Sequence, residues 1–229
     1  TWIAAYANTT GSGRRDYIYM PDAEWRYVRL SLDESNDVGY GIREIVVKPP
    51  AFSESVNDFF AAIASDAPPG MFPKYLLGKQ TYWTVLGTSG DARKAIMNEE
   101  GAIEVDVRAF SIEPFLYANG SLVTWSDAQV SQQLAGGALP IPTVLWRHDA
   151  LALHTTAWAA GPPGGSTLYV RYRVDNAAEA PADVRLYLAV RPFQVLPPWQ
   201  SLNILGGVSP IHVIDFDGLT KAFGDNLLI

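Results

Sequence analysis

The sequence predicts an all-β protein, an antiparallel β-sandwich with one short helical linker. Three observations carry the prediction. Apolar and polar residues alternate with period two along most of the chain, in short runs rich in Val, Ile, Thr, Tyr, Phe and Trp. The breaks between runs hold turn residues, above all Asn119-Gly120, a pair that tolerates positive φ at both central positions of a tight hairpin. Only one segment, 53–66, carries helical spacing.

In chain order, Glu24-Trp25-Arg26-Tyr27-Val28-Arg29-Leu30-Ser31-Leu32 and Ile42-Arg43-Glu44-Ile45-Val46-Val47 predict two early strands. The helix of 53–66 gathers Phe59, Phe60, Ile63 and Ala64 on one face, with Ser53 placed to cap it and Pro68-Pro69-Gly70 to end it. Further strands are expected at 82–86, 103–107, 110–117, 121–125, 143–147, 151–158, 167–174, 184–191 and 210–214. Gly136-Gly137, Asp149-Ala150 and Gly161-Pro162-Pro163-Gly164-Gly165 mark further turns. The chain thus divides into an N-terminal strand segment 1–50, a linker with one helix at 51–102, and a β domain at 103–229.

Composition narrows the function classes. With 229 residues, 48% hydrophobic and 18% charged, the chain can bury about 70% of its unfolded surface without a covalent staple. A net charge of -7 and a pI near 4.9 oppose binding to nucleic acid or an anionic membrane surface. There is no cysteine, which removes disulfides and thiolate metal sites. No apolar run approaches the roughly 18 residues of a membrane span, and Thr1-Trp2-Ile3-Ala4-Ala5-Tyr6 lacks the basic start of a signal peptide.

Two resemblances organise the rest. Gly13-Arg14-Arg15-Asp16-Tyr17-Ile18, then Trp25-Arg26-Tyr27-Val28-Arg29-Leu30, then Gly39-Tyr40-Gly41-Ile42-Arg43-Glu44-Ile45-Val46-Val47 resemble the last third of a discoidin domain, the coagulation factor 5/8 C-type β-sandwich. That likeness covers about residues 1–48 and implies a piece of a longer chain. Residues 110–125 and 167–211, with Arg171-Tyr172-Arg173-Val174-Asp175-Asn176 and Leu188-Ala189-Val190-Arg191-Pro192-Phe193-Gln194-Val195, resemble the supersandwich that precedes an (α/α)6 toroid in several glycoside hydrolase and phosphorylase families. The resemblance implies an accessory module of a multidomain bacterial carbohydrate-active protein, periplasmic or secreted, with glycan and a downstream catalytic domain as partners. No long amphipathic helical series follows residue 216, so the toroid is not in this chain.

Catalytic chemistry is weakly encoded. A glycosidase needs two carboxylates about 5–9.5 Å apart, and the candidates are Glu99, Glu100, Glu104, Glu113, Asp127 and Asp149, which sequence alone does not pair. Glu113 sits within Phe110-Ser111-Ile112-Glu113-Pro114-Phe115, where a carboxylate among large apolar groups needs a partner; a buried structural acid paired with an Arg is the expectation. His148, His154 and His212 lack zinc spacing, and Gly87-Thr88-Ser89-Gly90 lacks that of a nucleophile elbow. Asp33-Glu34-Ser35-Asn36-Asp37 and Asp215-Phe216-Asp217-Gly218 offer oxygen ligands for calcium without completing a calcium loop, and no other cofactor is implied.

Aromatic residues are the stronger signal, because an exposed ring beside a polar group stacks on a sugar's apolar face. The candidates for carbohydrate binding are Tyr82, Trp83, Trp125, Trp146, Arg147 and Trp199. Phe193 and Trp199 flank the stiff Pro197-Pro198, where they either form a docking rim or fold back to cap the core. Two functions follow: a non-catalytic carbohydrate-associated module that binds glycan or braces a neighbouring catalytic domain, and, as the alternative, a hydrolase or lyase using carboxylates on the sandwich face.

Overall fold

Asn119 and Gly120 adopt φ of 51° and 83°, so the tight turn read from the sequence closes a hairpin in which Ala118 faces Ser121. The computed structural model describes residues 2–8, 15–20, 23–32, 41–200 and 205–215, with backbone alone at 216, 222–224 and 227–228. Helix α1 (Val56–Asp66) precedes strands β1 (Trp83–Leu86), β2 (Ala95–Asn98), β3 (Ile103–Glu104), β4 (Ser111–Ala118) and β5 (Ser121–Val123). Then come β6 (Gln129–Ala135), β7 (Leu139–His148), β8 (Leu151–Ala160), β9 (Thr167–Asn176) and β10 (Val184–Arg191), followed by β11 (Ile214–Phe216), β12 (Ala222–Gly224) and β13 (Leu227–Leu228).

All pairings are antiparallel. One sheet runs β1-β2-β3-β4-β10 with β5 also on β4, a second is the meander β6-β7-β8-β9, and β11 to β13 form a small third. The first two pack face to face. Leu86, Ala95, Met97, Ile103, Leu116 and Val123 from one meet Val144, Trp146, Leu153 and Ala157 from the other in a single buried core. The fold is therefore an all-β sandwich. Among the described residues no helix is long and apolar enough to cross a membrane.

Prolines sit where the ladders permit them. Pro114 lies in β4 between the stretch paired with β3, which ends at Ile112, and that paired with β5, which begins at Leu116. Its missing N–H therefore falls in a gap along that edge. Pro140 and Pro142 precede Thr143, where pairing of β7 with β8 begins.

The chain divides into two compact units, Thr1–Ile63 and Ala64–Ile229. In the first, the expected strands 24–32 and 42–47 do not form: their described residues lie in no sheet. Alternation makes a strand only where a neighbour takes up the backbone groups and covers one face. Here Val28 is 75% and Val47 89% exposed. What this unit does build is an aromatic cluster in which Phe59 meets Tyr19, Phe52 and Phe60 with ring centroids 5.3–5.7 Å apart. The helix cap also moves. Ser55 rather than Ser53 accepts the first amides, Asp58 N at 3.1 Å through its Oγ and Phe59 N at 3.0 Å through its carbonyl.

In the second unit, strands begin at Trp83, so the sandwich includes residues that the sequence assigns to a linker. Near the other end, 210–213 are not strand and β11 begins only at Ile214, the last residue of the expected stretch; Pro210 carries no donor for a ladder.

Candidate functional site

Strand geometry sends alternate residues to opposite faces. In the meander the inward set contains Val144, Trp146, Leu153, Ala157, Val170 and Val174. The outward set follows by register, in rows across the sheet: Arg147, Ala152 and Asp175; Leu145, His154 and Arg173; Thr143, Thr156 and Arg171; Trp158 and Tyr169.

Trp158 and Tyr169 stack across the strands with centroids 5.5 Å apart and planes 13° from parallel. Tyr169 is 46% exposed. Next to them Thr143 Oγ1 and Thr156 Oγ1 share a hydrogen bond of 2.8 Å. Further along, Asp175 Oδ2 lies 3.1 Å from His154 Nε2 and 3.0 Å from Arg173 Nη2. The face runs about 13 Å from Trp158 to His154. It sets a half-exposed apolar ring pair beside hydroxyl, guanidinium, imidazole and carboxylate groups, all on rigid strands. Such a surface can stack a flat apolar ring face and hydrogen-bond the polar groups around it.

The outward face of the six-stranded sheet is different. Glu113 Oε2 accepts from Arg191 Nη1 at 3.1 Å and Oε1 from Ser111 Oγ at 3.2 Å. The Arg191 guanidinium also donates to Met71 O at 2.6 Å and lies over the rings of Phe72 and Phe193 at 4.8 and 4.9 Å. Burial pushes the Glu113 carboxyl up, and Arg191 pulls it part of the way back. Glu104 accepts from the amides of Arg108 at 3.1 Å, Val195 at 2.9 Å and Leu196 at 3.3 Å, yet burial still pushes it up to about 7. Lys74 bridges Glu99 and Glu100. The cavity shared by Glu113, Glu100, Lys74, Trp125 and Trp146 measures about 20 Å³. A water needs about 10–15 Å³, so the space holds one water and no sugar. These acids tie elements together, Glu113 through the arginine its sequence context calls for.

The residues expected to bind carbohydrate do not form one surface. Tyr82 is 66% exposed, and Trp83 and Trp125 are half-buried. Trp146 is a correction: it is 3% exposed in the core and its Nε1 donates to Glu100 O at 2.8 Å, so its ring offers no face for stacking. Its neighbour Arg147 points the other way, onto the outer face of the meander. Trp199 is 53% exposed and meets Tyr75 edge-on at 6.1 Å, whereas Phe193 is buried. One ring of that stiff loop caps the interior and the other does not.

Asp149-Ala150 turns the chain as read, which leaves His148 inward and His154 outward. His148 lines a cleft of about 350 Å³ at one end of the sandwich with Asn119, Ser121, Asp149 and Asn176. The acidic loop at 33–37 lies outside the described residues. Among the described residues no three His, Asp or Glu side chains converge as a metal site.

No protein-family model, curated protein or solved structure matches this chain. Function is therefore argued from the site alone. Trp158 and Tyr169 were not singled out from the sequence, although a signal was present. Trp158 lies three residues before Gly161 and Tyr169 three after Ser166, so a register closed by the 161–166 loop makes them cross-strand partners on one face.

Proposed function

We propose that the chain is a non-catalytic, carbohydrate-associated β-sandwich module that binds glycan on the outer face of its β6–β9 sheet. The observation that carries the reading is the stacked Trp158 and Tyr169 pair beside Thr143, Thr156, Arg171, His154 and Arg173 on the same face. Rings supply apolar stacking area at low entropic cost, and the neighbouring threonine, arginine and histidine groups supply directional hydrogen bonds. The carboxylate alternative draws less support, because Glu104 and Glu113 are enclosed and engaged by protein donors.

Affinity electrophoresis of the chain through gels holding a panel of soluble polysaccharides tests the reading. Retardation by at least one glycan is expected, with affinity at least tenfold weaker for the Trp158→Ala/Tyr169→Ala variant. Retardation by none of them, or retardation that survives the double substitution, would overturn it.

A further inference from the structure

We infer that the glycan bound on this face is acidic, a polysaccharide bearing carboxylates, recognised through Arg147, Arg171 and Arg173. The inference rests on the reading of the face as a glycan surface. The observation behind it is a local inversion of charge. The chain as a whole carries 24 acidic against 17 basic residues. On the outer face of the meander, however, three guanidiniums stand against the single carboxylate of Asp175. Asp175 is taken up by Arg173 and His154. Arg147 and Arg171 form no salt bridge among the described residues.

The arrangement is linear. Tyr169, Arg171 and Arg173 are successive outward residues of β9, each about 6.5 Å from the next along the strand. An aromatic ring followed by two cations along one line fits a polymer in which sugar rings and acid groups recur. Arginine suits the task because its planar fork donates two parallel hydrogen bonds to a carboxylate. Repulsion from the net negative charge does not forbid this, since at physiological ionic strength charges more than about 8 Å away are largely screened.

The test compares a polygalacturonate with a neutral glucan and a single-stranded oligonucleotide, at low and at physiological salt. Retardation by the polygalacturonate is expected, weakening as salt rises and falling at least tenfold in an Arg147→Gln/Arg171→Gln variant whose melting temperature is unchanged. Single Arg171→Gln and Arg147→Gln variants, each reducing affinity, serve if the double one is poorly folded. Binding to the neutral glucan alone would overturn the acidic assignment while leaving the glycan surface standing. Equal binding of the oligonucleotide would show a general polyanion patch and overturn it as well. Binding of neither polysaccharide would overturn the acidic assignment, and the glycan surface would fall with it only if the rest of the panel also left the chain unretarded.

Discussion

Arg191 and Glu113 stand one diagonal step apart on the paired strands β10 and β4, with side chains only 15% and 7% exposed and Nη1 and Oε2 3.1 Å apart. Removing one partner strands the other. Arg191→Met is expected to cost about 3–5 kcal/mol at pH 7, because a buried carboxylate is left without its cation. Folding raises the Glu113 pKa above 4.5, so its protonated form is the one the fold favours, and the stability it gives below that value is lost as pH rises. The loss caused by Arg191→Met should therefore shrink on acidification. Urea unfolding at pH 7 and pH 4 measures it; an equal loss at both would contradict this account.

Glu104 gives a second pH-dependent contribution. Its ordinary pKa of 4.5 rises to about 7 in the fold. Stability is fully present below 4.5 and is lost between there and about 7, amounting to about 3 kcal/mol. Glu104→Gln removes that term. The stability of the variant relative to the parent is expected to rise by about that amount from pH 4.5 to 7.5, and a flat difference across the window would refute it.

Gly70 holds a close approach. At φ 82°, a Cβ built there would fall 1.9 Å from Thr124 Oγ1. That hydroxyl cannot swing away freely, since it donates to Asp127 Oδ2 at 2.7 Å. Gly70→Ala should cost about 2–4 kcal/mol, combining left-handed strain with overpacking. Gly137→Ala, at φ 77° with open space around it, should show strain alone, about 1–2 kcal/mol. Matched losses in denaturant melts would remove the steric explanation.

Two tryptophans on opposite faces of one sheet should behave differently. Trp146→Ala empties the core and is expected to cost about 3–5 kcal/mol. Trp158→Ala removes a cross-strand ring contact at the surface, worth about 0.5–1.5 kcal/mol. Thermal unfolding of the two variants separates them, and comparable losses would put Trp158 inside.

The sandwich was legible where strands are bounded by turn chemistry and covered on one face. β10 spans the expected 184–191, and β4, β8 and β9 depart from expectation by at most two residues at an end. β6 escaped notice because Gln129-Val130-Ser131-Gln132-Gln133-Leu134-Ala135 is an edge strand paired only with β7, mostly exposed, and its composition carries little apolar alternation. β2, Ala95-Ile96-Met97-Asn98, is too short and too poor in β-branched residues to announce itself. The opposite error arose at 24–32 and 42–47, whose alternation is strong and whose partners are absent among the described residues. At the site, residue type pointed correctly to aromatics, but a single sequence does not say which side of a strand each ring occupies. Trp146 and Arg147, both carbohydrate candidates by residue type, lie on opposite faces of β7.

The position of β10 beside β4 has a kinetic consequence. Everything from β5 to β9 lies between these two strands in the chain, yet they pair along their full length. The β4–β5 hairpin and the β6–β9 meander are made of local contacts, which close within microseconds once begun. The β4–β10 pairing must wait for the meander to compact, because closing so long a loop gains nothing until its interior is ordered. Folding should thus proceed from a formed meander to a late docking of β10, so weakening meander turns slows folding while weakening the Arg191–Glu113 contact mainly speeds unfolding.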